Sequence, residues 1–147
     1  MDKQELQTYL HEHIPLSAAM QSSIDVLEPG QVIMSAPLAP NINHRDTVFG
    51  GSASTLATLS AWTLVHSRLK REGITARVVI QQHCMRYDKP ITDRFQAVCD
   101  LPQQKTWDRF MLMLQRKGRG RIHLLAQLQC HGDTVGQFEG DFVAIIL

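Results

Sequence analysis

Several things that would settle the class of this chain are scarce in it. Cysteine is one: only Cys84, Cys99 and Cys130 occur among 147 residues. Their number is odd, their spacing is wide, and each sits in an alternating apolar run. They read as buried free thiols and not as a disulfide framework. That suits a reducing, cytoplasmic compartment. An excess of charge of either sign is also missing. The formal net charge is +1, which gives no electrostatic reason for a nucleic-acid or anionic-membrane partner. Aromatic residues make up 6%, and none is interleaved with the single basic cluster, against the pattern of single-strand nucleic-acid binding.

Metal-ligand spacing is absent too. His11 and His13 stand two apart and point to different faces of a helix, while His66, His83, His123 and His131 fall singly. No metal and no resident cofactor is expected. The opening stretch MDKQELQTYLHEHIP is polar and lacks the apolar segment of a secretory signal. There are no repeats, linkers or low-complexity tracts, so one domain over residues 1–147 is expected.

What the chain does have is one long uncharged run, Thr47 to Ser67. At about 1.5 Å per residue it could cross a bilayer. It carries Ser52, Ser54, Thr55, Thr58, Ser60 and Thr63, however, which puts hydroxyls on every face. A helix buried inside a globular domain fits better than one facing lipid. Ser52, just after Gly50-Gly51, is the expected cap, and Gly73, after the basic turn Lys70-Arg71, the expected stop.

Around this helix the pattern is mostly extended. Residues 3–13 read as a short amphipathic helix ended by Pro15, and Leu16 to Met20 as a further turn. Ser23–Leu27 and Gln31–Ala36, joined by Pro29-Gly30, read as a hairpin. Thr75–Tyr87 and Phe95–Cys99 are strands. Trp107–Leu114 is readable as strand or helix. Residues 116–121 read as a basic loop. Ile122–Cys130 and Thr134–Ile146 are strands joined by His131-Gly132-Asp133. Strands grouped around one helix indicate an α+β class. The expected architecture is a hotdog-like one, a curved antiparallel sheet wrapped around the long central helix.

Three stretches carry a resemblance: Asn43-His44-Arg45-Asp46-Thr47-Val48-Phe49-Gly50-Gly51, Met85-Arg86-Tyr87-Asp88-Lys89-Pro90, and Lys117-Gly118-Arg119-Gly120. Together they resemble the hotdog-fold thioesterase superfamily over nearly the whole chain, nearest the thioesterase family typified by the YiiD C-terminal domain. That domain is sometimes fused to an acetyltransferase. The resemblance implies hydrolysis of an acyl thioester of coenzyme A or of a carrier protein, with the coenzyme A or phosphopantetheine part of the substrate. It also implies a homodimer or homotetramer with the site at the subunit interface. In relatives with an Asn…His-Gly-Gly…Asp pattern, Asn positions water or carbonyl, the glycine backbone polarises the thioester oxygen, and the helix acid acts as base. Here Asn43 and Gly50-Gly51 match, but Phe49 stands at the histidine position and Thr58 at the acid position.

The candidate catalytic residues are therefore Asn43, Asp46, Gly51, Thr58 and His44. Unpaired N–H groups at a helix start stabilise a developing oxyanion, and Gly51 leaves that approach open. Thr58 is no base near neutral pH, which leaves Asp46, or else His44, as the stand-in. Each has a plainer reading: a turn residue for Asp46, a solvated loop histidine for His44, a back-bonded helix hydroxyl for Thr58. Arg116, Lys117, Arg119 and Arg121 are candidates for holding phosphate. The alternatives to hydrolysis are a binding module without turnover and an accessory domain. A hydratase is disfavoured because the central helix has no acid before Glu72.

Overall fold

The computed structural model describes residues 1–147. Helix α1 (Lys3–His13) starts from a reciprocal cap: Asp2 accepts from the Glu5 N–H at 2.8 Å and its own N–H donates to Glu5 Oε2 at 3.0 Å. It buries Leu6 and Leu10. Pro15 opens the short helix α2 (Pro15–Ala19), where a missing N–H costs nothing. The hairpin β1 (Ser23–Glu28) and β2 (Gln31–Ala36) follows as expected, turning at Pro29-Gly30.

The uncharged run forms helix α3 (Gly50–Arg71), ended at Glu72 with Gly73 left-handed at φ +73°. Strands β3 (Ala76–Tyr87), β4 (Phe95–Asp100), β5 (Arg119–Cys130) and β6 (Asp133–Ile146) complete one antiparallel sheet of order β1-β2-β4-β5-β6-β3. Alternation along β5 is strict: Ile122, Leu124, Ala126 and Leu128 are buried, and Arg121, His123, Leu125 and Gln127 exposed. Helix α3 packs against β2 to β6 and sends Leu56, Leu64, Val65 and Leu69 into the core. The curved sheet around this helix is the expected hotdog arrangement. No helix is long and apolar enough to cross a membrane.

One open reading is resolved and three expectations are corrected. The ambiguous stretch is helix α4 (Gln104–Lys117). Trp107, Phe110, Met111 and Leu114 are buried while Leu112 and Met113 are exposed, so the period is helical. Residues 116–121 are not a loop: Arg116 and Lys117 form the last turn of α4, Gly118 is its left-handed C-cap (φ +71°), and Arg119 opens β5. Basic residues at a helix C-terminus complement its dipole. Ser52 does not cap α3; Phe49 occupies the N-cap and no side chain caps there. All three cysteines are free, but Cys84 is exposed, because edge strand β3 is open on both faces over residues 81–84.

Strand pairing is incomplete along β5 and at the β3 edge of the sheet. Strand β4 pairs with β5 only over Gln96–Cys99. Helix α4 packs beside the N-terminal part of β5 instead, so close that a Cβ on Gly120 would lie 2.9 Å from the Phe110 carbonyl. Strand β3 pairs only with β6, which leaves its other edge bare along 12 residues.

Candidate active site at the start of the central helix

The segment before α3 is closed by one side chain. Asn43 Nδ2 donates to Thr47 Oγ1 at 2.9 Å, and Asn43 Oδ1 accepts from the N–H groups of Arg45 (2.8 Å) and Thr47 (3.2 Å). An Asx turn of this kind uses up both ends of the amide. It holds Asp46 at φ +61°, a conformation that aspartate tolerates better than most residues. Asp46 and His44 are exposed, and neither side chain hydrogen-bonds to the protein. The strand-like bridge Ile42–Val48 and the Phe49 N–H to Asn41 carbonyl bond (2.8 Å) then deliver the chain into the helix.

At the helix start, the N–H groups of Ser52 and Ala53 both turn back to the Phe49 carbonyl, at 2.9 and 3.1 Å. Those of Gly50 and Gly51 have no partner in the chain. They are free donors at the positive end of a 22-residue helix. A Cβ on Gly51 would fall 2.6 Å from the edge of the exposed Phe49 ring, which would have to swing aside. A cleft of about 340 Å³ opens in front, lined by Gly51, Phe49, Ser52 and Thr55 and faced by Leu16 and Met20 from the α2 region.

Thr58 stands two helical turns further on, roughly 10 Å along the axis from Gly51. Its hydroxyl donates to the Ser54 carbonyl at 2.9 Å, and it does not line the cleft. In this chain it is a back-bonded helix hydroxyl. Two residues outside the predicted set belong here. Tyr87, ending β3, donates its hydroxyl to the Gly50 carbonyl at 2.7 Å and fixes the helix start to the sheet. Asn41 is buried and donates to the Met20 and Pro37 carbonyls (3.0 and 2.8 Å), while its Oδ1 has no partner. Tyr87 is visible in the sequence only as part of the Met85–Pro90 motif; nothing there marks Asn41.

The basic residues lie elsewhere. A groove of about 650 Å³ between α4 and β5–β6 takes in Lys117, Arg119 and Arg121 but not Arg116. It adds Arg109, which shares a helical stripe with Met113 and Lys117 once α4 is known to be a helix. The register places Arg121 opposite Val143 and Val79, and Leu128 opposite Gly136, which pairs with Tyr87. From the Arg121 row to the Tyr87 row is roughly 24 Å along the strands. One chain therefore does not bring the basic groove to its own α3 start. No group of three or more His, Cys, Asp or Glu side chains is arranged to hold a metal ion.

A curved six-stranded sheet around one buried helix defines a hotdog-fold protein. Residues 3–146 match the family described as "Putative thioesterase (yiiD_Cterm)", and the chain belongs to that family. It is similar to a protein of unknown function from Chlorobaculum tepidum, at 27% identity and TM-score 0.93, covering 99% of this chain and 94% of that one. A Shewanella oneidensis structure named as a thioesterase of the same provisional kind is 29% identical, with TM-score 0.87 and coverage of 97% and 96%. A probable thioesterase from Pseudomonas aeruginosa shares the fold at 21% identity, with TM-score 0.83 and coverage of 98% and 96%.

Proposed function

We propose that this protein hydrolyses an acyl thioester of coenzyme A or of a carrier protein at the start of α3. The observation that carries the reading is the pair of unpartnered Gly50 and Gly51 N–H groups beside an apolar cleft. Attack by water on a thioester carbonyl places negative charge on its oxygen. One preorganised donor to such an oxygen contributes about 2.7–4 kcal/mol to the barrier reduction in characterised enzymes. Asp46 is the base in this reading, being a carboxylate of the adjoining turn with no partner of its own, and His44 is its neighbour in reserve. Asn43 shapes the turn that presents Asp46, and Thr58 assists from a facing subunit.

A homodimer completes the arrangement. The bare edge of β3 is a surface that proteins cover or pair. Antiparallel pairing of two β3 edges about their midpoints sets Tyr87 of one chain opposite Ala76 of the other, beside the Arg77–Ile145–Arg119 row. Arg119 then lies about three strand spacings away, roughly 14 Å. Lys117, Arg119 and Arg121 would meet a phosphate of the acyl carrier from there, whereas Arg116 drops out.

A second reading, a thioester-binding module without turnover, is favoured by one pair of facts: the Asn43 amide is spent on its own turn and the Thr58 hydroxyl on its own helix. Amide NMR with a non-hydrolysable thioether analogue of an acyl-CoA tests the shared premise. The Gly50 and Gly51 cross-peaks are expected to move most. Shifts confined to other parts of the chain would remove the helix start from the site in both readings.

A further inference from the structure

We propose that a second cavity, at the far end of α3 from the cleft, is a binding site for a small aliphatic carboxylate. It encloses about 280 Å³ between the last turns of α3, Leu6 of α1 and Leu27 of β1. His66 forms part of its wall and lies roughly 24 Å along the helix from Gly50. The Trp62 ring stacks on this imidazole at 4.5 Å and the Tyr9 ring at 5.7 Å, so the ring meets the cavity by its edge. The residue is only 8% exposed. Nε2 is buried without a partner, and Nδ1 makes no hydrogen bond within the chain either. Buried polar groups are nearly always paired, and an imidazole with neither nitrogen bonded is a group that a ligand completes.

The charge of that ligand follows from what surrounds the ring. Burial first, then the charge of Lys70, keeps the imidazole neutral near neutral pH, so it offers one N–H donor. Lys70 and Arg71 line the same cavity, neither is in an ion pair, and no acid lines it. A neutral N–H donor beside two unpaired cations is the complement of a single carboxylate. Leu6 and Leu27 add apolar wall to the cavity. An aliphatic tail of a few carbons covers that wall, and inorganic phosphate would leave it bare. The site stands apart from thioester hydrolysis, because no part of it comes from the segment before α3 or from the first turn of α3.

Amide NMR of the whole protein, titrated near neutral pH with hexanoate beside hexanol, acetate and inorganic phosphate, tests the proposal. Hexanoate should give saturable shifts in the amides of residues 66–71 and in the Trp62 indole, and should bind at least tenfold tighter than hexanol or phosphate. The double variant Lys70→Gln/Arg71→Gln should weaken hexanoate tenfold or more. Both positions are exposed, and a thermal melt checks that folding is intact. His66→Phe, which keeps the stack and removes the N–H, should also weaken hexanoate, by severalfold. Leu27→Ala should shrink the advantage of hexanoate over acetate. Hexanol binding as tightly as hexanoate would reduce the cavity to an apolar hole, and phosphate binding as tightly would reduce it to a cationic patch; either result overturns the assignment. So would the absence of shifts at residues 66–71, shifts confined to the start of α3, or affinities indifferent to all these variants.

Discussion

His66 stands in an aromatic stack, with the Trp62 ring at 4.5 Å and the Tyr9 ring at 5.7 Å, and its Nε2 has no hydrogen-bond partner. Burial, then the charges of Lys70 and the N-terminal amine, push its pKa down from 6.5 to about 4. The folded protein keeps this imidazole neutral while the unfolded chain takes up a proton, so stability falls as pH drops from 6.5 towards 4. The loss is on the order of 3 kcal/mol at the acid end. His66→Phe keeps the stack and removes the proton, so denaturant melts across that window should lose this component. An unchanged pH slope would place the titration elsewhere. His123 behaves in the opposite sense: its bond to Asp141, with Glu139 adding, raises its pKa above 6.5. Its contribution is complete below 6.5 and is lost as pH rises through the raised value. In an NMR titration Asp141→Asn should bring the His123 midpoint down; a midpoint that stays put would show the ion pair is idle. Neither environment is legible in the sequence, where both histidines fall singly. Burial and cross-strand partners are made by tertiary structure.

At the scale of elements, the legible parts are those whose signals are local. Pro15 after α1, the Pro29-Gly30 and His131-Gly132 turns and the hydroxyl-bearing central run each lie within a few residues of what they specify. Helix α4 is ambiguous in sequence because Phe110 to Leu114 is apolar at every position, so the block alone has no period; Trp107 and the exposed Leu112 and Met113 decide it. That one uncertainty makes the basic residues read as a loop and hides Arg109. Gly118 is what stops α4 and starts β5 without a spacer. A Cβ at Gly118 would meet nothing within 4 Å, so Gly118→Ala incurs only the left-handed backbone penalty, about 1 kcal/mol or somewhat more. A fall in Tm of roughly 2–4 °C is expected for a domain of this size. No change would mean that the helix end relaxes to another cap. Tyr87→Phe removes the bond to the Gly50 carbonyl and should cost about 1 kcal/mol, with kcat falling more than KM rises. Equal effects on both would make Tyr87 a matter of substrate binding.

For the whole molecule, the hotdog architecture follows from counting strands around one uncharged helix, and the six-stranded sheet packed on α3 confirms it. The distribution of the site does not follow. Asn43, Asp46 and Gly51 are close in sequence, and of the three only Gly51 lines the cleft. The cations have no such tie to that cluster, and register puts their row roughly 24 Å away along the strands. Sequence spacing carries no register. A chain that joins those two places needs a second copy across β3, so size-exclusion chromatography with light scattering should give a dimer or tetramer of the 16.6 kDa chain. A monomer at micromolar concentration would detach the basic groove from thioester chemistry altogether.

The central claim is acyl-thioester hydrolysis at the start of α3, and thiol release from a panel of short, medium and aromatic acyl-CoAs tests it most directly. Wild type should turn over at least one of them. Asp46→Asn should lose about 10²-fold or more in kcat with its melting temperature unchanged. Turnover equal in the two proteins would contradict the assignment of Asp46, and no turnover of any thioester by wild type, with analogue binding retained at Gly50 and Gly51, would make this a binding module and not a hydrolase.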